Sequence, residues 1–249
     1  MATDGASNTA KRKRIIVTKN GPYSVEGDVP LVSKTQVVSE YGEPLTWQKD
    51  AAIAVREGEY HLCRCGQSGN PPFCDGTHGL EGFDGTETAD LNLTETRAMK
   101  IPRGTRIIVK KDPTLCMQSG FCGLHNADLD QLVAATKDTK IRGLVMTMVE
   151  HCPSGSLTFR IEADGPDIEQ DLPQQVAVTT EITSDGPIAG PLWVTGGIPV
   201  ERSDGEFFET RNRVTLCNCG KSSNKPLCDG THREIAQRIA RTRYRSAEH

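Results

Sequence analysis

Two sets of side chains in this sequence repeat one order of metal donors at one spacing: Cys63, Cys65, Cys74 and His78, then Cys217, Cys219, Cys228 and His232. Each set is a C-x-C pair, a third cysteine nine residues later and a histidine four residues after that. Three thiolates with one imidazole suit either zinc or iron-sulfur chemistry. Paired cysteines at structural zinc sites usually stand about two to four residues apart, so C-x-C is short for the usual knuckle. A binuclear 2Fe-2S cluster asks only two protein ligands of each iron. A natural division puts Cys63 with Cys65 on one iron and Cys74 with His78 on the other, and likewise Cys217 with Cys219 and Cys228 with His232.

Both copies read C-x-C-x2-S-x3-P-x-C-D-G-T-H, as CRCGQSGNPPFCDGTH and CNCGKSSNKPLCDGTH. This pattern resembles the CDGSH iron-sulfur domain of mitoNEET-type proteins, with Thr77 and Thr231 where serine is frequent. The resemblance implies one 2Fe-2S cluster per copy, held by three cysteines and one histidine; general ligand chemistry leaves zinc as the alternative. Asp75 and Asp229 are expected to cap helical turns starting at Gly76 and Gly230. Those turns would set both histidines among free backbone N–H groups that favour an anionic group. Pro72 and Pro226 stiffen the loop, and Ser68 and Ser222 can bond loop backbone or cluster sulfur.

The elements that must position these loops are repeated too. NGPYSVEGDVPL (20–31) aligns with AGPLWVTGGIPV (189–200), pairing Gly21 with Gly190, Pro22 with Pro191, Val25 with Val194, Gly27 with Gly196 and Pro30 with Pro199. Alternating apolar residues in RIIVTKN and the Gly/Pro punctuation predict short strands. The first copy carries extra residues before its cysteines, including Glu43 to Val55. Two units of the resembled family intertwine into a two-fold dimer with a β-rich cap, so one chain with two copies is expected to be a monomer with an internal pseudo-dimer. The expected fold class is α+β, a duplicated β-rich unit with an inserted ferredoxin-like α+β domain. The expected divisions are residues 1–79, 80–181 and 182–249, the last ending in a basic helix.

The middle segment has its own thiols, Cys116, Cys122 and Cys152, with Cys152 followed by Pro153 as at the end of bacterial ferredoxin ligand runs. RIIVKK and LTFRI are expected to pair as strands around a helix near Leu129 to Ala135, with Asp128 and Gln131 as a capping box. This resembles divergent single-cluster ferredoxins over roughly sixty residues. The resemblance implies a 3Fe-4S cluster on the three cysteines, or a 4Fe-4S cluster with Ser119, His125, His151 or a small molecule as fourth ligand. The alternatives are buried thiols without a cluster, and His151 as an ordinary helix-terminal residue.

Composition narrows the function. Nine cysteines in three groups of three do not read as a disulfide framework, and the expectation is a reducing, cytoplasmic setting with no membrane span. A net charge of −4 argues against general nucleic-acid binding. Basic runs at Lys11 to Arg14 and Arg233 to Arg245 are solvated faces or docking sites for acidic partners or headgroups. No phosphate loop, nucleophile elbow or hydrolase signature is present, so the protein is expected not to be an enzyme. Three roles remain: single-electron transfer to a redox partner protein; storage and delivery of 2Fe-2S clusters to an apo-acceptor, with redox or pH sensing as a variant; and a purely structural metal-bound interaction module, which redox-silent zinc would mark.

Overall fold

The computed structural model describes residues 12–247, with side chains as far as Thr242. Lys11, and the side chains of Arg243 and Arg245 in the two expected basic runs, lie outside the described residues. The chain is α+β. The first copy supplies strands β1 (Arg14–Val17), β2 (Tyr23–Glu26), β3 (Leu31–Val38), β4 (Pro44–Ile53) and β5 (Glu59–Leu62), then the single-turn helix α1 (Thr77–Leu80). Next come α2 (Thr94–Arg97), β6 (Met99–Lys100), β7 (Ile108–Lys111), β8 (Gly123–Leu124), β9 (Ala127–Asp128), α3 (Leu129–Ala134), α4 (Thr139–His151) and β10 (Leu157–Arg160). The chain ends with β11 (Gln175–Thr183), β12 (Gly186–Thr195), β13 (Val200–Glu201), β14 (Arg213–Leu216) and α5 (Thr231–Ala247).

Two sheets join the copies by exchanging strands. One runs β13-β1-β2-β5, the other β14-β12-β11-β3-β4. In the first, β1 pairs in parallel with β13 of the second copy; in the second, β11 pairs in parallel with β3 of the first. The bonds match residue for residue: Ile15 N–H donates to Pro199 at 2.9 Å, and Val176 N–H to Pro30 at 2.9 Å. Pro30 and Pro199 are the equivalent prolines of the sequence repeat. Alternation on β1 turns Ile15 and Val17 inward, and they share one core with Tyr23, Leu31 and Leu62 and with Val176, Leu192, Val194 and Leu216. Neither copy buries its apolar face without the other.

The extra residues of the first copy form β4, antiparallel to β3 at the edge of the larger sheet. The expected boundary between residues 181 and 182 falls inside β11, which pairs with β12 and β3, so the strands of the second half start at Gln175. The middle segment has a separate core of Ile107, Val109, Leu132, Val145, Val149 and Phe159. Its strands β7 and β10 pair antiparallel as expected. Asp128 caps α3 by accepting from the amide of Gln131 at 2.9 Å. The longer helix α4 was not anticipated, although Ile141, Val145, Met148 and Val149 lie at helical spacing behind the N-cap Asp138. No helix among the described residues is long and apolar enough to cross a membrane.

Candidate metal centres

Each cysteine-histidine set sits on a loop between a strand and a helix. In the first, β5 delivers Cys63 one residue past Leu62, and α1 carries His78 as its second residue; in the second, β14 delivers Cys217 and α5 carries His232 as its second residue. Gly76 and Gly230 take φ of 90° and 92°, the left-handed region that glycine enters without cost. The carboxylate ahead of each glycine then accepts the amide of the first helical residue: Asp75 from Thr77 at 3.1 Å and Asp229 from Thr231 at 3.0 Å. The glycine is the cap position itself, so the aspartate acts one residue earlier than expected. Ser68 and Ser222 each donate to a loop carbonyl, of Phe73 and Leu227, at 2.7 Å, which assigns them to turn structure. The peptide bonds to Pro72 and Pro226 are both cis.

The donors come together in pairs. Cys63 and Cys65 sulfurs are 3.7 Å apart, Cys217 and Cys219 sulfurs 3.6 Å. A tetrahedral ion with metal–sulfur bonds of ~2.3 Å spans a sulfur–sulfur edge of ~3.8 Å, so each C-x-C pair has the bite of one metal. Cys74 and His78 Nδ1 are 3.3 Å apart, and Cys228 and His232 Nδ1 3.4 Å, a second bite in each set. Among the described residues no three His, Cys, Asp or Glu side chains converge on a single ion. The spacing within each pair suits two donors on one metal ion. All nine cysteines are free thiols.

The two loops meet back to back. Cys65 and Cys219 form an isolated antiparallel bridge, and Gly66 and Gly220 lie against it at φ of 74° and 73°. A methyl group on Gly66 would come within 2.6 Å of the Cys219 carbonyl, and one on Gly220 within 2.3 Å of the Cys65 carbonyl. A cavity of ≈270 Å³ is lined by Cys63 and Pro72 of one loop, Leu192 of β12, and Asn218 and Cys219 of the other loop.

Burial separates the sets. Cys74 and His78 are half-buried and α1 buries nothing, whereas Cys228 and His232 are buried, with Cys228 2% exposed. Burial pushes the Cys228 thiol well up. Cys217 is held down to about 6, chiefly because the Cys219 thiol donates to it, with loop amides adding to the effect. Three residues at the second set carry no sequence signature. Tyr23 Oη donates to the carbonyls of Cys217 (2.8 Å) and Pro226 (3.0 Å) from the first copy. Glu181 Oε1 lies 2.9 Å from His232 Nε2. Gln118 of the middle segment donates through Nε2 to the Asp229 carbonyl at 3.2 Å.

In the middle segment, Cys152 is buried and Cys116 and Cys122 half-buried. The Cys122 thiol is pushed up by burial and then by Cys116 and Cys152, which places the three in one electrostatic neighbourhood. Ser119 is buried, and its carbonyl accepts from Gln36. His125 stacks on Tyr41, and His151 ends α4 and stacks on Phe121, with ring centroids 5.7 Å apart in each case.

No curated protein and no solved structure matches the chain. Residues 20–79 and 189–233 each match the family described as "Iron-binding zinc finger CDGSH type", and each match ends at one of the Asp-Gly-Thr-His loops. The chain therefore carries two CDGSH iron-sulfur domains in tandem, one ending at each donor set.

Proposed function

We propose that the chain is a soluble cytoplasmic electron carrier, not an enzyme, that binds two 2Fe-2S clusters and passes single electrons between a reductase and a partner protein. Cys63, Cys65, Cys74 and His78 hold one cluster; Cys217, Cys219, Cys228 and His232 hold the other. The observation that carries this reading is the paired spacing of the donors in each set, on two loops that both match the CDGSH domain. When bound, each cluster supplies one-electron oxidation and reduction.

The chain's own residues support electron exchange in two ways. The bridge between Cys65 and Cys219 makes the loops share a backbone contact, so the two donor sets are neighbours. The reciprocal strand exchange supports an internal pseudo-two-fold axis and a monomer that is its own pseudo-dimer. Cys116, Cys122 and Cys152 belong to a ferredoxin-like insert and would hold a third centre, 3Fe-4S or 4Fe-4S. Contact of Gln118 with Asp229 lays the loop between Cys116 and Cys122 directly on the second donor set. Delivery or sensing of 2Fe-2S clusters is the second reading, favoured by the half-exposed His78, whose ring opens one centre to an acceptor.

Anaerobic iron and acid-labile sulfide analysis with electron paramagnetic resonance tests the proposal. At least two 2Fe-2S clusters per chain and a separate signal from the middle segment are expected. Zinc without labile sulfide would overturn the main reading, and two clusters with no further signal would remove only the third centre.

A further inference from the structure

The hairpin before each repeat begins with the same device. Thr18 donates through its hydroxyl to the Pro22 carbonyl at 2.7 Å, and Thr179 to the Pro191 carbonyl at 2.6 Å. Gly21 and Gly190 fit against these hydroxyls, each leaving only 2.4 Å between the threonine Oγ1 and the place of an added methyl. The hairpins differ in length: Pro22 is four positions after Thr18, and Pro191 is twelve positions after Thr179. In the first copy the chain turns at once through Lys19 and Asn20. In the second, β11 and β12 run on past the threonine, and Glu181 is the second residue of that extension.

The extension places a carboxylate where the first copy has none. Glu181 is fully buried, its Oε1 lies 2.9 Å from Nε2 of the buried His232, and its Oε2 pairs with Arg233. A carboxylate accepts and cannot donate, so His232 Nε2 carries the proton and Nδ1, which faces Cys228, keeps its lone pair for a metal. His78 has its Nδ1 toward Cys74 in the same way, but among the described residues no acceptor is hydrogen-bonded to its Nε2. Arg233 neutralises the buried carboxylate, which would otherwise be costly beneath the centre.

We infer that Glu181 is a positioning residue that locks His232 onto the second centre, so that the two centres divide their work: the second is retained, and the first is the one that exchanges. This rests on the reading that both donor sets hold 2Fe-2S clusters. Outer-shell partners of ligating histidines typically change metal affinity by about 10–100-fold, and the same range is expected here for retention.

The test uses the full chain, loaded anaerobically and held at constant neutral pH with excess EDTA, with cluster loss followed by visible absorbance. In a Cys152→Ser background, which removes colour from the middle segment, the chain should lose its 2Fe-2S absorbance in two phases of equal amplitude whose rates differ by about tenfold or more. Cys74→Ser should remove the fast phase and keep the slow one. Glu181→Leu should bring the slow phase to the rate of the fast one, and Glu181→Gln, which still offers an amide oxygen to Nε2, should fall between. Pulsed electron paramagnetic resonance of the reduced protein reads the ligating nitrogen directly. It should show two distinct imidazole couplings in the parent and a single kind in Glu181→Leu. A parent that releases both clusters in one phase, or a Glu181→Leu chain that folds, keeps its slow phase and keeps two couplings, would overturn the inference. If Glu181→Leu does not fold, a Glu181→Gln chain identical to the parent in rates and couplings overturns it equally. Absence of iron and labile sulfide from the parent would instead sink the reading beneath it.

Discussion

The amide of Ile15 donates to the carbonyl of Pro199 across 2.9 Å, so the first strand of the first copy is completed by the second copy. Ile15 and Val17, 1% and 0% exposed, are buried in a core shared with Val176, Val194 and Leu216. Truncation after His78 removes all three partners and leaves β1 and β3 with open edges. The expected product aggregates or self-dimerises, β3 of one copy standing beside β1 of another, as size-exclusion chromatography with light scattering would report. A stable monomer with a full cluster would mean that the copies fold independently.

Gly66 and Gly220 hold the two donor loops together where no side chain fits. Alanine at either position takes a strained positive φ, a cost of about 1–3 kcal/mol, and drives its methyl into the backbone of the opposite cysteine. Because each glycine touches the other copy's loop, Gly220→Ala should lower the thermal midpoint and reduce iron at both centres together. Unchanged iron content with an unchanged midpoint would show that the loops are free to separate.

The two loops and the pairing of their side chains were legible because the cysteine and histidine spacing, the Asp-Gly-Thr turn and the serine turn are local, each contained in sixteen consecutive residues. The strand pairing of β7 with β10 and the cap of α3 were legible for the same reason. Tyr23, Glu181 and Gln118 were not, since each reaches its centre from another element, and nothing in the spacing around Tyr23 tells of Cys217. One hint lay in the repeat itself: Tyr23 aligns with Leu192, so one of the two equivalent positions had to lose its hydroxyl bond. The helix α4 had a readable pattern in Ile141, Val145 and Val149 and a readable cap in Asp138.

Tyr23→Phe removes the phenol that serves the buried carbonyls of Cys217 and Pro226. Net loss of such bonds costs about 1–2 kcal/mol, visible as a lower denaturant midpoint. The damage should be one-sided, because Leu192 gives the first loop no equivalent bond. Faster cluster loss from the second centre with the first unaffected is expected; equal loss from both would place the role of Tyr23 in the core alone.

Acid acts on the loops through Asp75 and Asp229, both held down to about 2. For Asp75 the causes are the Thr77 hydroxyl, then the Thr77 and Gly69 amides. For Asp229 burial pushes up, and hydrogen bonds from Thr231 and Ser223 outweigh it. A folded value below the unfolded value of 3.8 means that each contributes stability present above about pH 4 and lost as pH falls from there through 2. Asp229→Asn should lower the denaturation midpoint at pH 7 and flatten its fall between pH 4 and 2. A parallel curve, simply displaced, would show that the carboxylate has no charge-dependent role.

Replacing His78 or His232 by cysteine exchanges a neutral ligand for an anionic one, so the reduced centre carries more negative charge and its potential should fall. The change also removes the nitrogen whose protonation competes with metal, so cluster loss in mild acid should slow and the pH dependence of the potential should shrink. The two positions should not respond alike. At His78 the new thiolate faces solvent, and a fully folded protein with a lowered potential is expected. At His232 it stands near the buried Glu181, which keeps only Arg233 as partner, so His232→Cys should also destabilise the fold and lose part of its cluster on purification. Electron transfer and delivery separate on the His78→Cys chain: a tighter cluster still passes electrons if its donor partner is reducing enough to load it, whereas transfer to an apo-acceptor should slow sharply. Variants that match the parent in potential, acid stability and transfer rate would remove both histidines from the ligand sets.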